Sequence, residues 1–348
     1  MGSCTCKASA AEELSLPSPL PKPRYSQQFP IGKGSFGQVW KALHSKSSQA
    51  YAMKQMGKRA IVDKKNVSVV LNERKLLAAL KHPFLVNLHE AYQDQFYLYL
   101  IMDYLPGGDL RRQLVQKKTF TEGETRFLIA CLVAGLEYLH VNNVVHRDIK
   151  PENLVFDSKG YLKITDLGIS RRLKSKEQVN DASGTPGYMA PEAICRLPHG
   201  KAADFFAVGV IAYECMTGKR PYRGKSRSEI KDAMVAQQVQ LKKKDIPEGW
   251  SLEAADFINK CLQRKPEFRL GNNGPHEVKN HAWLRNFQWK KLLEETLEAP
   301  FCPSEAERAE DRASREAEDT LKPLRSEENQ AFAGFWYGEA CNQANNCM

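Results

Sequence analysis

Near residue 102 the hydrophobic pattern of this chain changes period, and that change limits what it can fold into. From about Tyr25 to Met102 apolar and polar residues mostly alternate, as in QVWKAL, AYAMKQM and FYLYLIM, which predicts strands. One helical stretch interrupts them: Val69, Val70, Leu76, Leu77 and Leu80 recur at helical spacing around Asn72, Glu73, Arg74 and Lys75. From Leu110 to about Trp289 long helical patterns take over, FLIACLVAGLEYLH and FFAVGVIAYECM among them. Two regimes imply two lobes, joined near Met102–Pro106, and 348 residues are enough for both lobes and a cleft between them.

The composition is that of an ordinary soluble globular chain, 42% hydrophobic and 26% charged. No apolar run reaches the roughly 18–20 residues of a membrane span, and no signal peptide is legible. Nine scattered cysteines do not form a disulfide framework and read as reduced thiols in a cytosolic enzyme. Cys131, Cys215 and Cys261 fall in apolar helical patterns and are expected in the core. The net charge of +10 is spread along the chain without an arginine-rich run or an aromatic RNA-binding motif, so no nucleic-acid partner is expected. A polyphosphate ligand accounts for some excess of positive charge. Residues 1–24, rich in proline and small polar residues, read as a mobile arm, and 304–331, rich in Glu, Arg and Ala, as a solvated or partly helical tail.

The first chemical feature is Gly32-Lys33-Gly34-Ser35-Phe36-Gly37-Gln38-Val39. Glycines let backbone amides approach phosphate oxygens where a Cβ would clash. The same spacing fits a dinucleotide-binding turn, but that turn leads into a helix, with an acidic residue about 20 positions on. Here a strand follows, and Lys54 stands fifteen residues after Val39. A lysine inside an apolar strand needs partners for its ammonium. The phosphates of ATP and the carboxylate of Glu73, on the helix of this lobe, would supply them.

The second feature is His146-Arg147-Asp148-Ile149-Lys150-Pro151-Glu152-Asn153, set between apolar stretches. Phosphoryl transfer needs a carboxylate to orient and accept the hydroxyl proton, and ligands for the metal that neutralises the phosphates. Asp148 suits the first role, Asn153 and Asp166 (in Ile164-Thr165-Asp166-Leu167-Gly168) the second, and Lys150 can reach the γ-phosphate. Hard oxygen donors without a His or Cys cluster favour magnesium over zinc.

With these motifs in this order, the chain resembles the eukaryotic protein kinase family from about Phe29 to Trp289, Ala190-Pro191-Glu192 included. The resemblance implies an α+β, two-lobed kinase fold: a small antiparallel-sheet N-lobe with one main helix (about 25–102) and a larger helical C-lobe (about 107–289). It implies ATP at a hinge of Met102, Asp103, Tyr104 and Leu105, beneath Ile31 and the glycine loop, with Val39, Ala52 and Val155 around the adenine and Asp109 nearby. It also implies a buried Glu192–Arg269 pair and protein substrates phosphorylated on Ser or Thr, as Lys150 after Asp148 favours. A scaffold without catalysis would lack Lys54, Asp148 or Asp166, and all three are present.

Within that family the chain is similar to the AGC group, which includes the cyclic-AMP-dependent protein kinase. The strings carrying this are HPFLV at 82–86, FRLG at 268–271, KNHAWL at 279–284 and Ala299-Pro300-Phe301. Residues 290–348 then resemble an AGC tail, with Phe332-Ala333-Gly334-Phe335-Trp336-Tyr337 as its hydrophobic motif, folded back beside the helix of Glu73. Glu152, Asp109 and Glu214 match acidic positions that recognise basic residues upstream of the acceptor. The resemblance has departures. Leu167 replaces the phenylalanine of DFG. Asp181, ahead of Thr185, stands where the activation-loop threonine is phosphorylated, with Arg147 and Arg171 expected to meet its charge. Trp336 replaces a phosphorylated Ser or Thr.

Met1-Gly2-Ser3-Cys4-Thr5-Cys6 resembles an N-myristoylation signal, with Cys6 in place of the usual Ser or Thr. Cys4 and Cys6 are candidate palmitate acceptors, and two acyl chains are what stable anchoring requires. The expectation is a monomeric cytoplasmic enzyme that an N-terminal lipid can tether to a membrane surface.

Overall fold

Alternation in the first third of the chain becomes a five-stranded antiparallel sheet in the computed structural model, which describes residues 24–34, 36–174, 177–303 and 323–338. Its strands are β1 (Tyr25–Gly34), β2 (Gly37–His44), β3 (Ala50–Gly57), β4 (Leu88–Gln93) and β5 (Tyr97–Asp103), in the order β1-β2-β3-β5-β4. Register places Val39 opposite Lys54, and Ala52 opposite Met102. Since alternate residues of a strand share a face, Val39, Ala52 and Lys54 project to one side of the sheet. Between β3 and β4 lie a short helix α1 (Lys58–Asp63), which periodicity did not reveal, and the expected α2 (Val67–Ala79). In α2 the buried positions are Val70, Glu73, Leu76 and Leu77, so a carboxylate stands in the apolar stripe.

The helical lobe begins after the hinge with α3 (Leu110–Lys117) and α4 (Glu122–Val141), whose Thr121–Glu124 capping box satisfies two backbone amides at its start. Short strands follow: β6 (Val144–Val145), β7 (Leu154–Phe156), β8 (Leu162–Ile164) and β9 (Arg171–Arg172). They pair as β6–β9 and β7–β8, fixing the loops that carry the second motif. The remaining C-lobe helices are α5 (Pro191–Ile194), α6 (Ala202–Thr217), α7 (Arg227–Ala236), α8 (Leu252–Cys261), α9 (Pro275–Asn280) and α10 (Trp289–Leu293). Helices α4 and α6 are buried along most of their length, with Cys131, Cys215 and Cys261 in this core, and burial pushes the Cys131 thiol up to about 12. None of the described helices is long and apolar enough to cross a membrane.

Arg269 shows how this core accepts a charge. Its Nη1 and Nη2 donate to the two oxygens of Glu192 at 2.6 and 2.8 Å, and the carbonyls of Gln263, Ala202 and Arg264 take the remaining donors. A buried ion pair is tolerated when all its hydrogen bonds are made.

Residues 323–338, with α11 (Ser326–Gln330), lie against the N-lobe. Phe332 and Phe335 are fully buried in the main core cluster. Lys58 donates to Asn329 Oδ1 at 2.7 Å, and Gln93 Nε2 to the Phe332 carbonyl at 2.9 Å. Arg74, on α2, holds the carbonyls of Phe335 and Trp336, and Tyr337 exchanges backbone hydrogen bonds with Ala91 of β4. Truncating a buried phenylalanine costs about 3–5 kcal/mol in a core. Because a tail can leave its groove, the cost here is capped by the docking free energy. Phe335→Ala is therefore expected to lower unfolding free energy by about 2 kcal/mol, and to raise amide exchange in β4 and α2. Unchanged melting and exchange would mean that the tail adds no stability.

Candidate active site

The cleft between the lobes encloses about 720 Å³. Val39, Ala52, Met102, Leu105 and Val155 give it apolar walls, and Lys54, Asn153 and Asp166 a polar inner end. Ile31, Gly32, Lys33, Gly34 and Asp109 line it too, as do Leu77, Val86 and Thr165, whose apolar or neutral side chains gave no sequence signal. Asp103 also borders the cleft, but its carboxylate is engaged by Asn87 at 2.9 Å and His89 at 2.7 Å.

In the glycine loop the three glycines differ in their reasons. A Cβ on Gly37 would lie 2.0 Å from the Gln55 carbonyl oxygen, so the sheet itself requires glycine there. At Gly32 and Gly34 a Cβ would meet nothing closer than 3.9 and 3.6 Å. Packing does not demand glycine at these two positions, whereas the close approach of a ligand does. Phe36 packs against the main core cluster, and Ser35 lies outside the described residues.

Lys54 Nζ lies 2.6 Å from Glu73 Oε1. Burial disfavours the ammonium, but Glu73 and Asp166 outweigh it and hold Lys54 charged. The Asp166 carboxyl is likewise kept low, burial being outweighed by Lys54 and the Gly168 amide. Leu167 beside it is buried, filling an apolar slot. Asp166 and Arg147 both have positive φ, 60° and 70°, a costly region for residues with a Cβ.

Asp204, on α6, holds the second motif in that shape. Its carboxylate accepts the backbone amides of His146 and Arg147, each at 2.9 Å, and His140 Nε2 at 2.8 Å. Asp148 then receives Lys150 Nζ at 2.7 Å, Thr185 Oγ1 at 2.8 Å and the Thr185 amide at 3.0 Å. Asn153, on a 3₁₀ turn, donates Nδ2 to the Asp148 carbonyl at 2.9 Å, which leaves its amide oxygen as a ligand atom. Among the described residues no cluster of three or more His, Cys, Asp or Glu is placed to hold a metal. Magnesium takes one or two side-chain oxygens and completes its shell with phosphate and water, and Asp166 and Asn153, both lining the cleft, offer oxygens of that kind.

One expectation needs correction. Arg147 Nη1 does meet Asp181, at 2.7 Å, but Arg171 does not: β9 pairing leaves it exposed, 3.0 Å from Glu177. Burial raises the Asp181 carboxyl, but the Ser183 and Arg147 hydrogen bonds outweigh it and bring it down to about 2. The three acids named for substrate recognition have partners within the chain. Asp109 caps α3 through the Arg112 amide at 2.8 Å, and Glu152 and Glu214 are both bound by Arg111. Asp204, Arg74 and Arg111 all escaped the sequence analysis. Asp204 had a signal, an acid opening the apolar run of α6.

Asp204→Ala strands two backbone amides and should cost about 3 kcal/mol of stability in a denaturant melt, with Asp204→Asn intermediate. Equal stability of the alanine variant would show that the anchor is dispensable.

Comparison with known proteins agrees with this geometry. Residues 25–284 match the protein kinase domain family. A probable serine/threonine-protein kinase of Dictyostelium discoideum is 38% identical over 79% of this chain and 59% of its own length. A cAMP-dependent protein kinase, catalytic subunit-like, of Caenorhabditis elegans is 36% identical over 79% of this chain and 68% of its own. The serine/threonine-protein kinase sgk-1 of the same nematode is 38% identical over 78% and 58%. The chain thus spans somewhat over half the length of most of these relatives. Coverage of three quarters of the sequence by one family, and relatives of this kind, place the chain in the protein kinase family, in its AGC group.

Proposed function

We propose that this chain is a serine/threonine protein kinase that transfers the γ-phosphate of ATP to protein substrates. The observation that carries the reading is convergence: the Lys54–Glu73 pair and Asp166 line one cleft with Lys150 and Asn153, and Lys150 holds Asp148 at 2.7 Å. Apolar walls suit the adenine, and Lys54 the phosphates. Asp148 orients the acceptor hydroxyl and takes its proton, while Lys150, 2.7 Å from it, meets charge developing on the transferred group. Asp166 and the Asn153 oxygen would hold magnesium, which would neutralise phosphate oxygens. The relatives' names support serine or threonine as acceptor.

Asp181 is read as a permanent substitute for an activating phosphate. Its folded value lies below that of an unfolded aspartate, so its contribution is complete above about pH 4 and is lost only as pH falls toward 2. A phosphate, with its second pKa near 6, would change charge within the physiological range. Phosphatase-treated protein is expected to phosphorylate a serine peptide with basic upstream residues, supplied with ATP and magnesium. Asp166→Ala should abolish this, and Asp181→Ala should lower kcat by roughly tenfold. Activity that survives Asp166→Ala sinks the catalytic assignment, and unchanged kcat in Asp181→Ala sinks the latch.

The preference for Arg or Lys upstream of the acceptor belongs to this reading, supported by Asp109 and Glu152, which line the cleft, and by Glu214, joined to Glu152 through Arg111. So does constitutive docking of the tail without a phosphate at Trp336, supported by buried Phe332 and Phe335. The acylation sites Gly2, Cys4 and Cys6 lie outside the described residues. For them the proposal is a monomeric cytoplasmic kinase tethered to a membrane by N-terminal lipid. Protein made in a myristoylating host should carry the added acyl mass, and an unmodified Gly2 rules the tether out.

A further inference from the structure

The acidic rim of the cleft already contains a guanidinium. Arg111, the second residue of α3, directs Nε to Glu152 Oε1 at 2.9 Å and Nη1 to Glu214 Oε1 at 2.9 Å. Its Nη2 reaches Glu214 Oε2 at 3.3 Å and also the Tyr188 hydroxyl. Tyr188 in turn donates to Glu214 Oε2 at 2.5 Å. Both oxygens of Glu214 are therefore taken, and its side chain is only 7% exposed, against 44% for Glu152. Glu152 keeps one carboxylate oxygen that Arg111 does not use.

Two carboxylates brought this close, one of them buried, need a cation between them. A substrate arginine is one source of that cation; this chain carries its own. An incoming arginine cannot take the bidentate position on Glu214 while Arg111 holds it, and is left with the more exposed edge of Glu152. Exposed pairs of that kind are weak, whereas buried charge pairs with full hydrogen bonding are strong.

We infer that Arg111 is an internal occupant of the acidic substrate subsite, which limits how much this kinase gains from a basic residue upstream of the acceptor. The inference rests on the kinase reading above and sharpens its substrate class: proteins with a modest upstream basic bias.

The test compares kcat/KM for serine peptides in which Arg replaces Ala, one position at a time, through the five residues before the acceptor. In the wild type the best Arg-over-Ala ratio should be about threefold. In Arg111→Ala it should rise to about thirtyfold, and in Arg111→Ala/Glu214→Gln it should fall back. Ethylguanidinium should raise the melting temperature of Arg111→Ala but not that of the wild type or the double variant, a rescue that a purely structural arginine buried elsewhere would not show. Should Arg111→Ala fail to fold, Glu214→Gln in the wild-type background decides: an unchanged Arg-over-Ala ratio supports prior occupancy, and a lost ratio overturns it. Equal ratios in the wild type and Arg111→Ala also overturn it. A large ratio in both would sink the occupancy while upholding the upstream basic preference; no ratio in either would sink both. A ratio that emerges only in Arg111→Ala supports the occupancy and removes the preference from the wild type.

Discussion

The carboxylate of Asp204 is the interaction on which the rest of the site depends. It is buried in α6, the most enclosed helix of the molecule, and captures the amides of His146 and Arg147. That capture offsets the cost of a left-handed Arg147, and the resulting bend sends the Arg147 side chain toward Asp181 while Asp148 meets Lys150 and Thr185, which line the cleft. Asp148 and the loop bearing Asp181 are thus positioned by one buried anion.

A second chain of constraints runs through α2. Its inner face carries Glu73, bound to Lys54 on β3, and its next residue, Arg74, holds two carbonyls of the C-terminal segment. Adjacent residues of one helix point in different directions, so the same short stretch ties β3 on one side and the tail on the other. Movement of α2 would strain both contacts at once, which is why a segment some 260 positions away in sequence (|i−j| = 261) bears on the geometry around Lys54.

What could be read from the sequence was what local pattern and motif chemistry encode. The strand period put Lys54 inside an apolar strand where its ammonium needs a partner, Glu73 stood on the helix of the same lobe to supply one, and the segment 146–153 gathered several polar groups between apolar stretches. Pairings between distant segments were less legible. Arg171 is close to Asp181 in sequence, yet β6–β9 pairing turns it to Glu177. The acidic trio was recognisable by position, but nothing in GGDLRR distinguishes an arginine that reaches Glu214, some hundred residues on (|i−j| = 103), from one that faces solvent. Short α1 escaped because six residues span too few turns to establish a period.

The backbone exchange between Tyr337 and Ala91 has a consequence for the protein's solubility. β4 is an outer strand of the five-stranded sheet, and an outer strand offers unpaired amides and carbonyls to any extended chain that meets it. By pairing there, with two phenylalanines buried alongside, the protein's own C-terminal segment occupies the position an intruding strand would take. A shortened chain would uncover an apolar groove and a hydrogen-bonding edge together, the pairing of features from which intermolecular sheets nucleate. The tail is in this sense an internal chaperone for the sheet that it covers.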